Sequence, residues 1–357
     1  MHMNAAQMTG GTMKQFTGFL KGVNLGGWIS QFAQYDEEHF NTFITEDDIQ
    51  YIASLGFDHV RVPVDYTILE DEDGNLKDTA FDHLDDCLKW CKKYSLNMVI
   101  DLHEIFGYSF DPSKLDMDRR KFFYDAALKE RFYKLWTAIA AHYKDNQSML
   151  AFEPLNEVVL AEVVDAWNDI VSEYIKMIRA ITPDVYIIVG GVCYNSVSSV
   201  PLLNVPIDDR IVYNFHCYDP HIFTHQGAYW EPVMPRDFRI GYPKSLEEYR
   251  KESGILYKEF TGPLFMEGLS EVGVDFFKRI FAPAIEKAEK DNVALYCGEY
   301  GVIDLADNHD KIKWLKDIHT AFADCGIGRA LWNYKEKDFG FVDPSFEEVK
   351  EDFIAIL

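Results

Sequence analysis

Two short apolar runs in this chain end in a glutamate. The first, Met149-Leu-Ala-Phe-Glu-Pro-Leu-Asn156-Glu157, closes on an amide and a carboxylate, and the second, Ala294-Leu-Tyr-Cys-Gly-Glu299-Tyr-Gly301, repeats that design much further along. Leu150, Phe152 and Leu155 suit a strand covered on both faces, as parallel strands are, so Asn156 and Glu157 stand where such a strand emerges. Taken singly, each end reads equally well as turn chemistry. Taken together, two strand-end carboxyl groups are what hydrolysis of a glycosidic bond employs, one as proton donor and one as nucleophile or as base for a water. A retaining pair stands about 5 Å apart, with one group ionised and the other protonated, and neighbouring groups must separate their pKa values.

On that chemistry Glu299 is the expected nucleophile, its charge held by Arg61 and Tyr218. Glu157 is the expected acid and then base, its pKa raised by burial and by the charge on Glu299. Asn156 is placed to bond a sugar 2-hydroxyl, an interaction that strengthens in an oxocarbenium-like transition state. Trp332 offers a floor beneath the reacting sugar, and His103 and His216 bond hydroxyls or orient the carboxylates; no cofactor and no metal is required. Each supporting residue also has a purely structural reading: Arg61 as an ion-pair partner, the histidines as satisfied core groups, Trp332 as a core aromatic. Two further readings of the same residues are a metal-dependent hydrolase with His103, Glu104 and His216 as ligands, and a carbohydrate-binding barrel without catalysis.

The elements that must position these groups alternate along the chain. Strand-like apolar runs at 22–25, 59–63, 97–101, 150–155, 186–190, 211–215, 294–298 and 329–332 are separated by helix-period segments at 46–55, 81–94, 129–143, 163–181, 276–290 and 310–325. Thr45 with Asp48 forms a capping box at the start of the first helix and Gly56 closes it. Eight parallel strands with intervening helices predict a closed (β/α)8 TIM barrel, whose active site lies at the carboxyl ends of the strands. There the polar residues collect: Asn24, Arg61, His103, Asn156, Glu157, His216, Tyr218, Glu299 and Trp332. The connection after the sixth strand is roughly fifty residues longer than a minimal barrel repeat. It predicts an inserted subdomain at about 219–274, rich in aromatics and helical over 245–260. Residues 1–14 read as a tag, leaving 15–357 as a single catalytic domain. The acidic run 70–73 reads as a solvated turn.

Composition bounds the partners. The chain has 357 residues, a formal charge of −24 and an acidic pI near 4.8, which excludes nucleic acid and anionic membranes as natural partners and suits a neutral substrate. The six cysteines show no paired framework and are expected as buried free thiols. No run of eighteen apolar residues occurs, and no leader segment is visible, although a polymeric substrate would imply work outside the cell. A monomer is expected.

The chain resembles glycoside hydrolase family 5, the cellulase-type barrels with acid and nucleophile on strands four and seven. The resemblance rests on Gly22-Val-Asn24-Leu-Gly-Gly-Trp28, Val60-Arg61-Val-Pro63, Asp101-Leu-His103, Leu155-Asn156-Glu157, Asn214-Phe-His216-Cys-Tyr218, Gly298-Glu299-Tyr-Gly301 and Leu331-Trp332-Asn. It implies a proton donor at Glu157, a nucleophile at Glu299 and support from Arg61, His103, Asn156, His216, Tyr218 and Trp332. It further implies retention of configuration and endo-action on a β-1,4-linked or mixed-linkage β-glucan, with mannan, glucomannan or xyloglucan as alternative substrates. The long connection after strand six is similar to a helical subdomain in a bacterial endo-β-glucanase branch of the family. Two positions depart from the family pattern: Val158 follows the acid where many relatives have Pro, and Glu104 follows His103 where many have a second His. The second bears on the preferred sugar.

Overall fold

A computed structural model describes residues 13–114, 116–257, 263–265 and 267–357. Eight strands close in sequence order into one barrel. They are β1 (Lys21–Asn24), β2 (His59–Asp65), β3 (Asn97–Glu104), β4 (Leu150–Glu153), β5 (Tyr186–Gly190), β6 (Ile211–His216), β7 (Ala294–Tyr300) and β8 (Gly328–Leu331). Every neighbouring pair is parallel, including β1 with β8 across the seam. Every residue of β2 and β7 is buried, because helices cover the outside while side chains fill the inside.

Helices Glu46–Ser54, Asp82–Tyr94, Ala126–Tyr143, Val164–Ile181, Val274–Asp291 and Asn308–Cys325 form most of the outer layer. A short 3-10 turn, Val197–Leu202, stands in for a helix between β5 and β6. Thr45 donates its backbone N–H to Asp48 at 2.8 Å, and Gly56 takes a φ of +83°, so the cap and stop act where the sequence puts them. The helix expected from residue 129 begins earlier, at Ala126, because Asp125 accepts from the backbone of Ala127 and Leu128 as an unanticipated N-cap. The strand expected over 150–155 ends at Glu153, because Pro154 has no N–H to continue the ladder.

Two layers of core result. Phe16, Phe19, Val99, Ala151, Ile188, Val212, Ala294, Tyr296 and Ala330 cluster inside the barrel, with Phe16 stacked on Phe19 at 4.3 Å. A much larger cluster joins the outward strand faces to the helices. Of the tail read as a tag, residues 1–12 lie outside the described residues, while Lys14 pairs with Ala294 and bonds Asp209 at 2.9 Å.

Between β6 and Val274 the chain forms the turn His221–Thr224 and the helix Leu246–Tyr257; the rest of the helix expected to residue 260 lies outside the described residues. Two smaller expectations are corrected. Glu70 is buried and accepts from Arg131 at 2.7 Å, so only the remainder of the acidic run is solvated. Cys193 is exposed, because it sits in a left-handed turn after β5 instead of in the strand.

Register shifts fall where the active face needs them. Phe215 pairs with Cys297 but His216 pairs with Glu299, so Gly298 is skipped. A Cβ at Gly298 would stand 2.9 Å from the Asn214 amide, which explains why a glycine occupies the skipped position. At Gly301 a Cβ would lie 2.2 Å from the Trp332 carbonyl oxygen, a backbone atom that cannot swing away. Gly301→Ala is therefore expected to lower the thermal midpoint by several degrees, consistent with an overpacking cost of about 1–3 kcal/mol. Gly254→Ala, in a helix with nothing within 4 Å, is expected to leave it unchanged or raise it slightly. Differential scanning calorimetry of both variants checks the contrast.

Candidate functional site

The carboxyl ends of the strands surround one buried cation. Arg61, on β2 and fully buried, donates from Nε and Nη2 to both oxygens of Glu153 (2.7 and 3.0 Å), from Nη1 to Asn24 Oδ1 and Glu299 Oε1 (2.9 Å each), and from Nη2 to Asn156 Oδ1 (2.7 Å). Asp101 Oδ2 lies 2.9 Å from Nη2. Burial works against the guanidinium's charge, but Asp101, Glu153 and Glu299 outweigh it and hold the group charged.

This arrangement commits each sequence-derived residue. Asn24 Nδ2 donates to the carbonyls of Gly298 and Ala330 (2.9 and 3.2 Å) while its oxygen serves Arg61, so Asn24 fastens strands and steadies the guanidinium. Asn156 gives its oxygen to Arg61, and the group it can offer a sugar is Nδ2. His103 Nδ1 is 2.6 Å from Asp101 Oδ2; its buried Nε2 has no partner, and its ring lies parallel to Trp332 at 5.9 Å. Trp332 packs with Phe339, Ala228 and Ile303, and Tyr218 and Trp230 lean on the same group. Glu104, by contrast, turns away to Lys114 and Ser109 and takes no part in the cluster.

Glu157 and Glu299 face each other across His216. His216 Nδ1 is 2.7 Å from Glu157 Oε1 and 3.6 Å from Glu299 Oε2, and Tyr218 donates to Glu299 Oε2 at 3.0 Å. The nearest side-chain oxygens and nitrogen of the three lie within 4.8 Å of one another.

Burial and the charge on Glu299 push the Glu157 carboxyl well above the usual carboxylate range. Burial also lifts Glu299, but Arg61 and the bond from Tyr218 pull it back, so the proton of the pair resides on Glu157. Burial holds His216 neutral, well below its usual pKa, and brings His103 down to about 3.

Three residues of this network were given no role from the sequence. Asp101 and Glu153 are fully buried carboxyls, each pushed up to about 7 by burial against the pull of Arg61. The available signal was an acid inside a run read as a buried strand, which demands a partner. Asn214 belongs with them, donating to Glu153 Oε1 at 2.9 Å and accepting from the Gly298 backbone.

The family model described as Cellulase (glycosyl hydrolase family 5) matches residues 19–338. The chain belongs to glycosyl hydrolase family 5. Among curated relatives it is similar to Endoglucanase C of Acetivibrio thermocellus, 40% identical over 345 residues that cover 95% of this chain and 98% of the relative. It is also similar to Cellodextrinase A of Ruminococcus flavefaciens, 40% identical over 317 residues, 89% and 86% of the two chains. Endoglucanase Cel5A of Thermotoga maritima shares the family fold, with a TM-score of 0.73 at 24% identity over 95% of this chain and 97% of that one. Among the described residues no helix is long and apolar enough to cross a membrane.

Removing Arg61 would leave Asp101, Glu153 and Glu299 buried without their countercharge. Arg61→Ala is expected to cost about 3–5 kcal/mol or to prevent folding. Arg61→Lys, which keeps the charge but loses the fork, is expected to fold with a lower thermal midpoint and roughly 100-fold less turnover. Calorimetry with steady-state kinetics checks both; wild-type turnover in Arg61→Lys would contradict the role of the bidentate geometry.

Proposed function

We propose that this chain is an endo-acting β-1,4-glucanase that cleaves cellulose-type or mixed-linkage β-glucan by double displacement with retention of configuration. The carrying observation is the close approach of Glu157 and Glu299. Retaining pairs stand about 5 Å apart, whereas inverting pairs need roughly 6.5–9.5 Å to admit a water. Similarity to a relative named an endoglucanase over nearly the full length of both chains supports the substrate class.

In the first step the sugar lies over Trp332, and Glu299, ionised and steadied by Arg61 and Tyr218, attacks the anomeric carbon. Glu157 gives its proton to the departing oxygen as that bond breaks. Esterification removes the negative charge of Glu299, so the pKa of Glu157 falls, and the carboxylate can now take a proton from the water that releases the sugar. Asn156 Nδ2 bonds the 2-hydroxyl, and His103 Nε2, which has no protein partner, meets another hydroxyl. The long connection after β6 borders the cleft through Trp230, which leans on the Trp332 group beside Tyr218, and shapes substrate binding. All these groups come from one chain, so a monomer suffices, and a polymeric substrate places the work outside the cell. Similarity to a cellodextrinase makes short β-1,4-glucan oligosaccharides the second substrate to test.

Glu299→Ala is expected to lower kcat on cello-oligosaccharides by at least roughly 10⁴-fold while binding persists. Intact turnover in that variant would end the proposal. Proton NMR of early product should show the β-anomer first. A panel of defined β-glucan and β-mannan oligosaccharides, followed by product analysis, reports linkage preference and endo-action together.

The raised Glu157 also sets a pH dependence. The first step needs Glu157 protonated, so kcat/KM should fall only as pH rises through a value well above the ordinary carboxylate range, and fall again at low pH as Glu299 gains a proton. In Glu157→Ala, assayed with 2,4-dinitrophenyl β-cellobioside, whose leaving group needs no acid, the alkaline limb should vanish and the acid limb remain. An unchanged alkaline limb would assign it to another group.

A further inference from the structure

Behind the acid stands a residue that the proposed chemistry does not use. Cys193, Tyr194 and Asn195 follow β5 in a left-handed run, with φ values of 55°, 57° and 57°. Successive left-handed residues are uncommon outside glycine, and asparagine is among the side chains that tolerate the region. The run is tied down from both sides: Tyr194 donates its N–H to the Val158 carbonyl at 3.1 Å, and the Asn195 carbonyl accepts from the His216 N–H at 2.8 Å. The Asn195 side chain is fully buried, lying over Gly190, where a Cβ would fall 2.0 Å from its Oδ1.

Its Nδ2 donates to the Asn156 carbonyl at 3.0 Å and lies 3.4 Å from His216 Nε2. The Asn156 carbonyl settles which way the amide points, because the flipped amide would set oxygen against oxygen. With an N–H directed at Nε2, that nitrogen must accept, and the single proton of the neutral ring sits on Nδ1, facing Glu157 Oε1 at 2.7 Å.

We infer that Asn195 is a positioning residue for the acid/base step: it fixes the His216 tautomer so that Nδ1–H donates to Glu157. The consequence is chemical. With the opposite tautomer Nδ1 would be an acceptor and would draw the Glu157 proton towards itself, away from the glycosidic oxygen. With Nδ1–H, one oxygen of Glu157 is occupied by a donor and the other keeps the proton for the leaving group. After that proton has left, the same N–H stabilises the carboxylate that serves as base.

This inference rests on Glu157 as the acid, and the test separates the two. Nitrogen-15 NMR of histidine-labelled protein, with the His216 resonances assigned by their loss in His216→Gln, should show a neutral ring protonated at Nδ1. A proton on Nε2, or an imidazolium, overturns the inference whatever Glu157 does. In Asn195→Asp, where an acceptor replaces the donor, the tautomer should reverse. On aryl β-cellobiosides kcat/KM should then fall by roughly 10- to 100-fold with phenol as leaving group and by less than about threefold with 2,4-dinitrophenol, a partial loss of the roughly 10²–10⁴-fold that acid catalysis contributes. An equal loss for both leaving groups overturns the inference, since a merely structural defect ignores the leaving group. Glu157→Ala in the same series is the control: if it shows no leaving-group dependence, the assignment of the acid fails, and if it does while Asn195→Asp does not, the positioning role alone fails. Should Asn195→Asp not fold, the wild-type spectrum decides.

Discussion

The buried guanidinium of Arg61 is the interaction on which the active face depends. It touches side chains from β1, β2's own neighbour β3, β4, the turn after β4 and β7, so one planar group sets the mutual positions of residues that lie far apart in sequence. A lysine could supply the charge but not a fork of fixed geometry. Burying a cation is costly unless it is paired and fully bonded, and here the surrounding acids satisfy that condition. The acids in turn need the cation, since Asp101 and Glu153 have no access to water. The cost of assembling the cluster is met by the barrel core beneath it, the layer around Phe16, Phe19 and Tyr296.

From that centre the two glutamates acquire different properties without differing in type. Both are buried, and burial raises both. Glu299 receives bonds from Arg61 and Tyr218, whereas Glu157 receives His216 and the repulsion of Glu299. The asymmetry is therefore carried by neighbours, and a neutral His216 is part of it: a charged imidazole would stabilise both carboxylates and narrow the separation.

Much of this was legible in the sequence, and the reasons differ by residue. The strands were visible as apolar runs because parallel strands are buried on both faces, and the helices through their period. Residues at strand ends stood out because they interrupt those runs. Asp101, Glu153 and Asn214 sit within strands, where a single polar residue signals the need for a partner but not its identity until Arg61 is placed beside it. Asn195 was less accessible still, since its importance comes from a left-handed turn and two neighbours distant in sequence, Asn156 and His216, none of which leaves a local pattern. The N-cap at Asp125 was missed for a simpler reason: the apolar period starts later than the helix does. Asn24 shows the opposite case, a residue whose place at a strand end was legible but whose amide proves to be spent on Arg61 and strand carbonyls.

Asn24 belongs to the first strand of the barrel, and the carbonyls it bonds belong to the last two. Trp332 follows the final strand directly. The reactive face is thus stitched across the seam where β1 meets β8. During synthesis, no growing chain can carry a finished site until β8 has left the ribosome and closed against β1. Hydrolysis therefore reports ring closure as well as the presence of the two carboxyl groups.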